Sequence, residues 1–219
     1  MLKLETFAHR GVSVNVRKGL YNEFDVGIGR EVAAEYFWEM LPESVEFAVD
    51  VGAHIGHWSL RLSHRYPTAK VVAIEPEKEN LAVLAVNAYG YPNVHVRAGA
   101  VCYSDKPLGL RLSGDGNSGG HQLVVGDPDG DVIGWTIEDL FEGRDQIDVL
   151  KLDCEGSEFD ILKNMKVSTL KRIQCIVGEH HSTRDVFHEE CGKRLEKAGF
   201  ELTYTNRVEE MGMFCAVRK

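Results

Sequence analysis

Phe47-Ala48-Val49-Asp50-Val51-Gly52-Ala53-His54-Ile55-Gly56-His57-Trp58-Ser59-Leu60-Arg61-Leu62 decides how this chain folds. Phe47-Ala48-Val49 leads an apolar run with the character of a buried strand, and from Trp58 apolar residues recur at helical spacing. The glycines therefore fall at a strand-to-helix turn, where a doubly wound α/β fold binds its cofactor. Gly52 admits a backbone geometry or a close ligand approach that a side chain would block. The amides opening the helix at Gly56 offer unpaired donors and a positive dipole end. Asp50, Gly52, Ala53, His54 and Gly56 are accordingly expected to bind the cofactor.

Two more acids strengthen this reading. Lys70-Val71-Val72-Ala73-Ile74-Glu75-Pro76 reads as a second buried strand, and Glu75 stands 25 positions after Asp50, near the interval at which such folds place a ribose-binding acid. Asp153 closes Asp148-Val149-Leu150-Lys151-Leu152. Glu75, Pro76 and Asp153 are expected at the cofactor. Ala100 and Val101 lie at the same sheet edge, where small apolar residues suit either a flat adenine ring or a core strand end.

At these residues the chain resembles a known family. The Asp-x-Gly-x-x-x-Gly turn followed by a strand-end Glu is similar to the S-adenosylmethionine site of class I methyltransferases. Val49-Asp50-Val51-Gly52-Ala53, Trp135-Thr136-Ile137-Glu138-Asp139-Leu140 and Lys151-Leu152-Asp153-Cys154-Glu155-Gly156-Ser157-Glu158 together resemble the FkbM family within that class. The first motif is generic, and the Asp-x-Glu-Gly-x-Glu motif is the specific one. Cys154 and Ser157 depart from the Val and Ala of the family pattern. The resemblance covers roughly residues 45 to 180. It implies a Rossmann-like, seven-stranded, mostly parallel sheet with an antiparallel last strand, and S-adenosylmethionine as cofactor.

The 219 residues suit one domain, which at this size buries roughly 70% of its unfolded surface. Residues 1–45 read as an N-terminal extension and 46–219 as the core, with 103–136 as a hairpin insertion. A net charge of −9 from 25 basic and 34 acidic residues repels a phosphate backbone, and no basic patch offsets it, so a small-molecule acceptor is favoured over nucleic acid. The five cysteines form no Cys-x-x-Cys pair, and Cys102, Cys175 and Cys215 read as reduced core residues. With no signal pattern in Met1-Leu2-Lys3-Leu4-Glu5 and no membrane-length apolar run, the expected location is cytoplasmic.

In the extension, Val12-Ser13-Val14-Asn15-Val16 alternates as a strand does, and Ala33, Ala34, Phe37, Trp38 and Leu41 predict a helix stopped by Pro42. Tyr21 to Gly29 reads as a connector, either an ordinary loop or a cover over the cofactor. Beyond the turn, Glu77 to Ala88 predicts a helix and Val94-His95-Val96 a strand. Leu108 to Leu112 and Gln122 to Val125 predict short strands around the four-glycine loop Ser113 to His121, which reads as a connector or a substrate gate. A short helix over Ile137–Phe141, a strand over Ile147–Leu152 and a helix from Ser157 to Met165 follow. Ile173 to Gly178 predicts the fifth strand, and Ser182 or Thr183 caps a helix running to Ala198. Phe200–Tyr204 and Met211–Val217 form a terminal antiparallel pair, joined by Asn206 to Glu210.

Methyl transfer from a sulfonium needs alignment and, for an alcohol, proton removal. The groups placed to do this follow the fourth and fifth strands: Asp153, Glu155, Glu179, His180 and His181. His180 is the expected base, oriented by Glu179 or Asp153, because an imidazole suits neutral pH. The competing roles are helix N-terminal stabilisation for Asp153 and Glu155, and a polar loop for the histidines. A divalent metal on Asp153, Glu179 and His180 is the other arrangement, though no short-range ligand motif supports it and no metal residue is assigned. A nicotinamide dehydrogenase is disfavoured because the turn lacks the middle glycine that admits a pyrophosphate. The expected activity is S-adenosylmethionine-dependent O-methylation of a small-molecule hydroxyl. N- or C-methylation and a non-catalytic binding module on the same fold stay open.

Overall fold

The computed structural model describes residues 3–114, 117–208 and 210–219. Met1 and Leu2 at the start, Asp115 and Gly116 of the glycine loop, and Glu209 of the last turn lie outside the described residues.

The decisive run forms β3 (Phe47–Val51), every residue of it buried. It lies between β4 (Lys70–Glu75) and β10 (Ile147–Leu152), parallel to both. Outward from these come β5 (Val94–Ala98) beside β4 and β11 (Ile173–His180) beside β10, also parallel. Next to β11 runs β13 (Met211–Arg218), antiparallel to it and to β12 (Phe200–Val208). The order β12-β13-β11-β10-β3-β4-β5 is the expected seven-stranded sheet with a reversed last strand.

Strand alternation divides the core into two layers. On one face Val49, Leu150, Ile176 and Phe214 pack against Ile161 of α4 (Glu158–Asn164), Leu170 of α5 (Val167–Leu170) and, beyond β11, Phe187 and Leu195. On the other, Ala48, Val149, Val177 and Cys215 meet Val32 of α1 (Asn22–Glu35), Trp58 of α2 (His57–Arg65) and Leu84 of α3 (Lys78–Ala88). Burying each large apolar side chain contributes about 1.5–3 kcal/mol. All five cysteines are free; Cys175 and Cys215 are buried, whereas Cys102 is half-buried.

The extension differs from its expected layout. β1 (Leu4–His9), unforeseen from the sequence, pairs antiparallel with β2 (Val12–Arg17), whose valines bury against Ile55, Leu60 and Val83. Most of the stretch read as a connector belongs to α1, which ends at Glu35 instead of reaching Leu41. Tertiary contacts rather than propensity set this helix. Asp25 is fully buried against Arg17, and Gly29 lies so close to α2 that a Cβ there would sit 2.6 Å from the His57 ring. Past β5, β6 (Ala100–Val101) pairs with β9 (Gly134–Trp135), and β7 (Leu108–Arg111) with β8 (Gln122–Val125), giving the expected hairpin. The helix over Ile137–Phe141 is a 3₁₀ turn, Glu138–Phe141. The helix after Thr183, whose hydroxyl caps Val186 N, is interrupted by a π turn at His188–Gly192 between α6 (Arg184–Phe187) and α7 (Lys193–Lys197).

Candidate functional site

The carboxyl ends of β3, β4, β10 and β11 open on one cavity of about 400 Å³, within the range of small-molecule sites. Its inner half is built by the glycine turn. Gly52 has φ +74°, and a Cβ there would sit 1.8 Å from the Asp153 carbonyl, so no other residue fits between β3 and β10. Gly52, His54, Glu75, Pro76, Ala100 and Val101 line this half. Glu75 accepts from His54 N at 2.8 Å on one oxygen and from Glu77 N at 3.0 Å on the other, where Asn80 Nδ2 lies at 3.4 Å. Burial pushes its carboxyl up to about 7, against the pull of these donors.

Asp50, expected at the cofactor, lies beneath the turn and not in the cavity. Its register partner in β10 is Lys151, and the ammonium is 3.1 Å from its Oδ1. Ser59 donates to its other oxygen at 2.6 Å. Lys151 also donates to the Gly52 carbonyl at 2.6 Å and lies 3.4 Å from Asp153, so one buried cation ties the turn to both acids. Burial disfavours the Lys151 ammonium, but the carboxylates of Asp50 and Asp153 outweigh it and raise its pKa. Ala53 and Gly56 also fall behind the cavity wall. Ala53 N donates to Ile74 O, and Gly56 caps α2 against Leu60 and Leu84.

The outer half carries the segment after β10. Glu158, fully buried, accepts from Cys154 N at 2.6 Å and from Gly156 N at 2.9 Å, closing residues 153–158 into a rigid turn. Glu155 is held there at φ +55°, a strained backbone for a non-glycine residue. Asp153 accepts from the hydroxyl of Tyr36, fully buried just past the end of α1. Burial first, then the Asp153 charge, pushes the Tyr36 phenol far above its ordinary value, so it serves as a donor. Asp153, Glu155 and Glu179 all line the cavity.

His180 does not. It is 1% exposed, stacks on Phe187 with ring centroids 4.9 Å apart, and its Nδ1 faces Ser182 O at 3.0 Å. Burial lowers its pKa. The period of two along β11 turns Glu179 toward the cavity and His180 into the opposite layer, and His181, just past the strand's end, lines the cavity with Glu179. Of the two histidines after Glu179, the one that reaches the site is His181, with Nε2 3.2 Å from Glu155 and Nδ1 3.6 Å from Glu158. Burial alone would lower its pKa, but the two carboxylates push it up to about 11. It is thus a fixed cation at neutral pH. The metal arrangement on Asp153, Glu179 and His180 fails for the same reason, since His180 faces away. Among the described residues no cluster of three His, Cys, Asp or Glu could hold a metal ion, and no helix is long and apolar enough to cross a membrane.

Sequence reasoning offered Tyr21–Gly29 as a cover and Ser113–His121 as a gate, but named no individual residue of either as part of the site. Phe24, Gly27, Ile28 and Glu31 from α1 line the cavity, with Leu110, Ser118 and Leu123 from the hairpin and Asn80 from α3. The burial of polar groups such as Asp25 and Ser118, visible in three dimensions alone, shows which residues of these segments pack against the site.

Comparison with known proteins agrees with this architecture. The chain is 28% identical over 221 residues to the AMB antimetabolite synthetase AmbE of Pseudomonas aeruginosa, covering 80% of this chain but only 10% of that much longer protein. It is 25% identical over 214 residues to the methyltransferase sdnD of Sordaria araneosa, covering 80% of this chain and 82% of the relative. Among solved structures, the N-terminal domain of EvdMO1 with S-adenosylhomocysteine bound superposes with a TM-score of 0.51 at 15% identity, over 87% of this chain and 81% of that one. The model of the methyltransferase FkbM domain matches residues 50–202, from the acid under the glycine turn to the start of β12. The chain belongs to the FkbM family of methyltransferases.

Proposed function

We propose that this protein is an S-adenosylmethionine-dependent O-methyltransferase acting on a hydroxyl of a small molecule. The observation that carries the reading is a single cavity with a buried ribose-type carboxylate, Glu75, on the inner wall and three carboxylates, Asp153, Glu155 and Glu179, on the outer wall. The inner half fits the cofactor. A ribose diol would satisfy the strained charge of Glu75, the turn at Gly52 admits close backbone approach, and Ala100 and Val101 offer a flat apolar surface. When bound, S-adenosylmethionine supplies an electrophilic methyl carbon on a sulfonium.

The chain's own residues then align the acceptor and hold its proton. Asp153 lies against the Gly52 turn and faces the outer half, so its carboxylate takes the hydroxyl proton, while the Tyr36 hydroxyl and the Lys151 ammonium fix its orientation. His181 is already protonated and acts as a fixed charge that orients Glu155. A net charge of −9 supports a small acceptor over a nucleic acid, and five free cysteines fit a reducing cytoplasm.

Transfer of labelled methyl groups to a panel of hydroxyl- and amine-bearing small molecules tests this reading. A hydroxyl acceptor is expected, with Asp153→Asn lowering kcat by about 10²–10⁴-fold and changing S-adenosylhomocysteine affinity only severalfold. Turnover of amines alone, or full turnover by Asp153→Asn, overturns it.

A further inference from the structure

The hairpin sends one residue into the cofactor half of the cavity that the mechanism above does not use. Ser118 is 0% exposed. Its hydroxyl donates to Asp25 Oδ1 at 3.0 Å and lies 2.9 Å from His54 Nε2, and its carbonyl accepts from Asn80 Nδ2 at 2.9 Å. Asp25 is itself anchored, receiving the backbone N, Nε and Nη2 of Arg17 at 2.9, 3.0 and 2.7 Å. Arg17 Nη2 also reaches His54 Nε2 at 3.2 Å. With the hydroxyl proton given to Asp25, Nε2–H of His54 donates to Ser118 Oγ, and Arg17 Nη2, itself only a donor, lies beside that nitrogen without a hydrogen bond to it. A chain of buried hydrogen bonds thus runs from β2 through α1 and the hairpin to the glycine turn and α3.

Its end point is Glu75. His54 and Asn80, the two residues that Ser118 touches in the core, are also two of the three whose N–H groups face the Glu75 carboxylate. We propose that Ser118 is a positioning residue for the ribose of the bound nucleoside: by engaging His54 and Asn80 together, it sets the orientation of the Glu75 carboxylate that receives the sugar hydroxyls. This rests on Glu75 being the ribose acid. It makes the hairpin and the N-terminal segment parts of the cofactor site as well as walls of the acceptor space. The support is indirect, since Ser118 acts through other residues, and so it affects the ribose hydroxyls more than the rest of the nucleoside.

The test is calorimetric titration of wild type, Ser118→Ala, Ser118→Thr and Glu75→Gln with S-adenosylhomocysteine and its 2′-deoxy and 3′-deoxy analogues. Wild type is expected to prefer the ribose form by about tenfold or more, the worth of a hydrogen bond to a charged group. Ser118→Ala is expected to cut that preference at least threefold, Ser118→Thr to retain most of it, and Glu75→Gln to abolish it. If Ser118→Ala does not yield folded protein, Ser118→Cys, which weakens the same contacts to Asp25 and His54, carries the same expectation. Equal weakening of all three ligands by Ser118→Ala, or no change, overturns the proposal and leaves Ser118 a structural closure of the hairpin. A preference that survives Glu75→Gln instead overturns the ribose reading, and the proposal with it.

Discussion

If Glu75 is the ribose acid proposed above, acidification from pH 8 to pH 6 will weaken nucleoside binding by about tenfold, because that carboxylate takes up a proton across the interval. Glu75 is 5% exposed, and burial raises its carboxyl to about 7 even though two backbone amides and Asn80 favour the charged form. Ribose hydroxyls donate to a carboxylate, so the binding-competent form is ionised. The apparent dissociation constant then scales as one plus ten to the power of the pKa minus the pH. This factor is close to 1 at pH 8, about 2 at pH 7 and about 11 at pH 6, or roughly 1.4 kcal/mol between the extremes. Binding at pH 7 will release about half a proton. Calorimetry with S-adenosylhomocysteine in two buffers of different ionisation enthalpy measures both quantities at once. The neighbouring imidazoles do not supply the effect. His54 is held neutral by burial, and His181 stays charged throughout, its carboxylate partners holding it near 11. Glu75→Gln will therefore flatten the profile as well as weaken binding. An affinity constant from pH 6 to 8, or a slope that persists in Glu75→Gln, would refute the assignment.

Lys151→Met will strand Asp50 and Asp153 without their shared cation, costing about 3–5 kcal/mol and lowering the melting temperature by roughly 10 °C, and adding Asp50→Asn will recover part of the loss in the same thermal melts. His180→Gln will leave kcat within severalfold of wild type in the labelled-methyl assay, since the ring packs on Phe187 outside the cavity, whereas a loss of a hundredfold would restore it as the base. The His181 ring protons will not shift between pH 6 and 9 in an NMR titration, and Glu155→Gln will move the midpoint down. Because the folded pKa of His181 exceeds the unfolded value, its stabilising contribution is complete below about 6.5 and is lost as pH rises through about 11.

The legibility of the chain follows the origin of each signal. The sheet was legible because β3, β4 and β10 are buried on both faces and read as mainly apolar runs, with Gly52 forced by the 1.8 Å approach of the Asp153 carbonyl. Helix α1 was not, because its sequence carries Gly27 and Gly29 on a polar background, and it is kept helical by the Arg17–Asp25 pair and by packing on His57. Two site assignments failed for a reason the sequence could have supplied. Along a strand successive residues point to opposite faces, so once Glu179 is placed toward the ligand, His180 cannot share its side. The same rule, with Lys151 as the register partner of Asp50, shows why Asp50 faces a lysine beneath the turn and does not line the cavity. A lysine in the middle of a buried strand requires an anion, and Asp50 on the strand beside it supplies one. The acid of the glycine turn is consumed by folding. On the proposed reading ribose binding falls to Glu75, whose penalised charge makes it the carboxylate that a sugar diol would relieve.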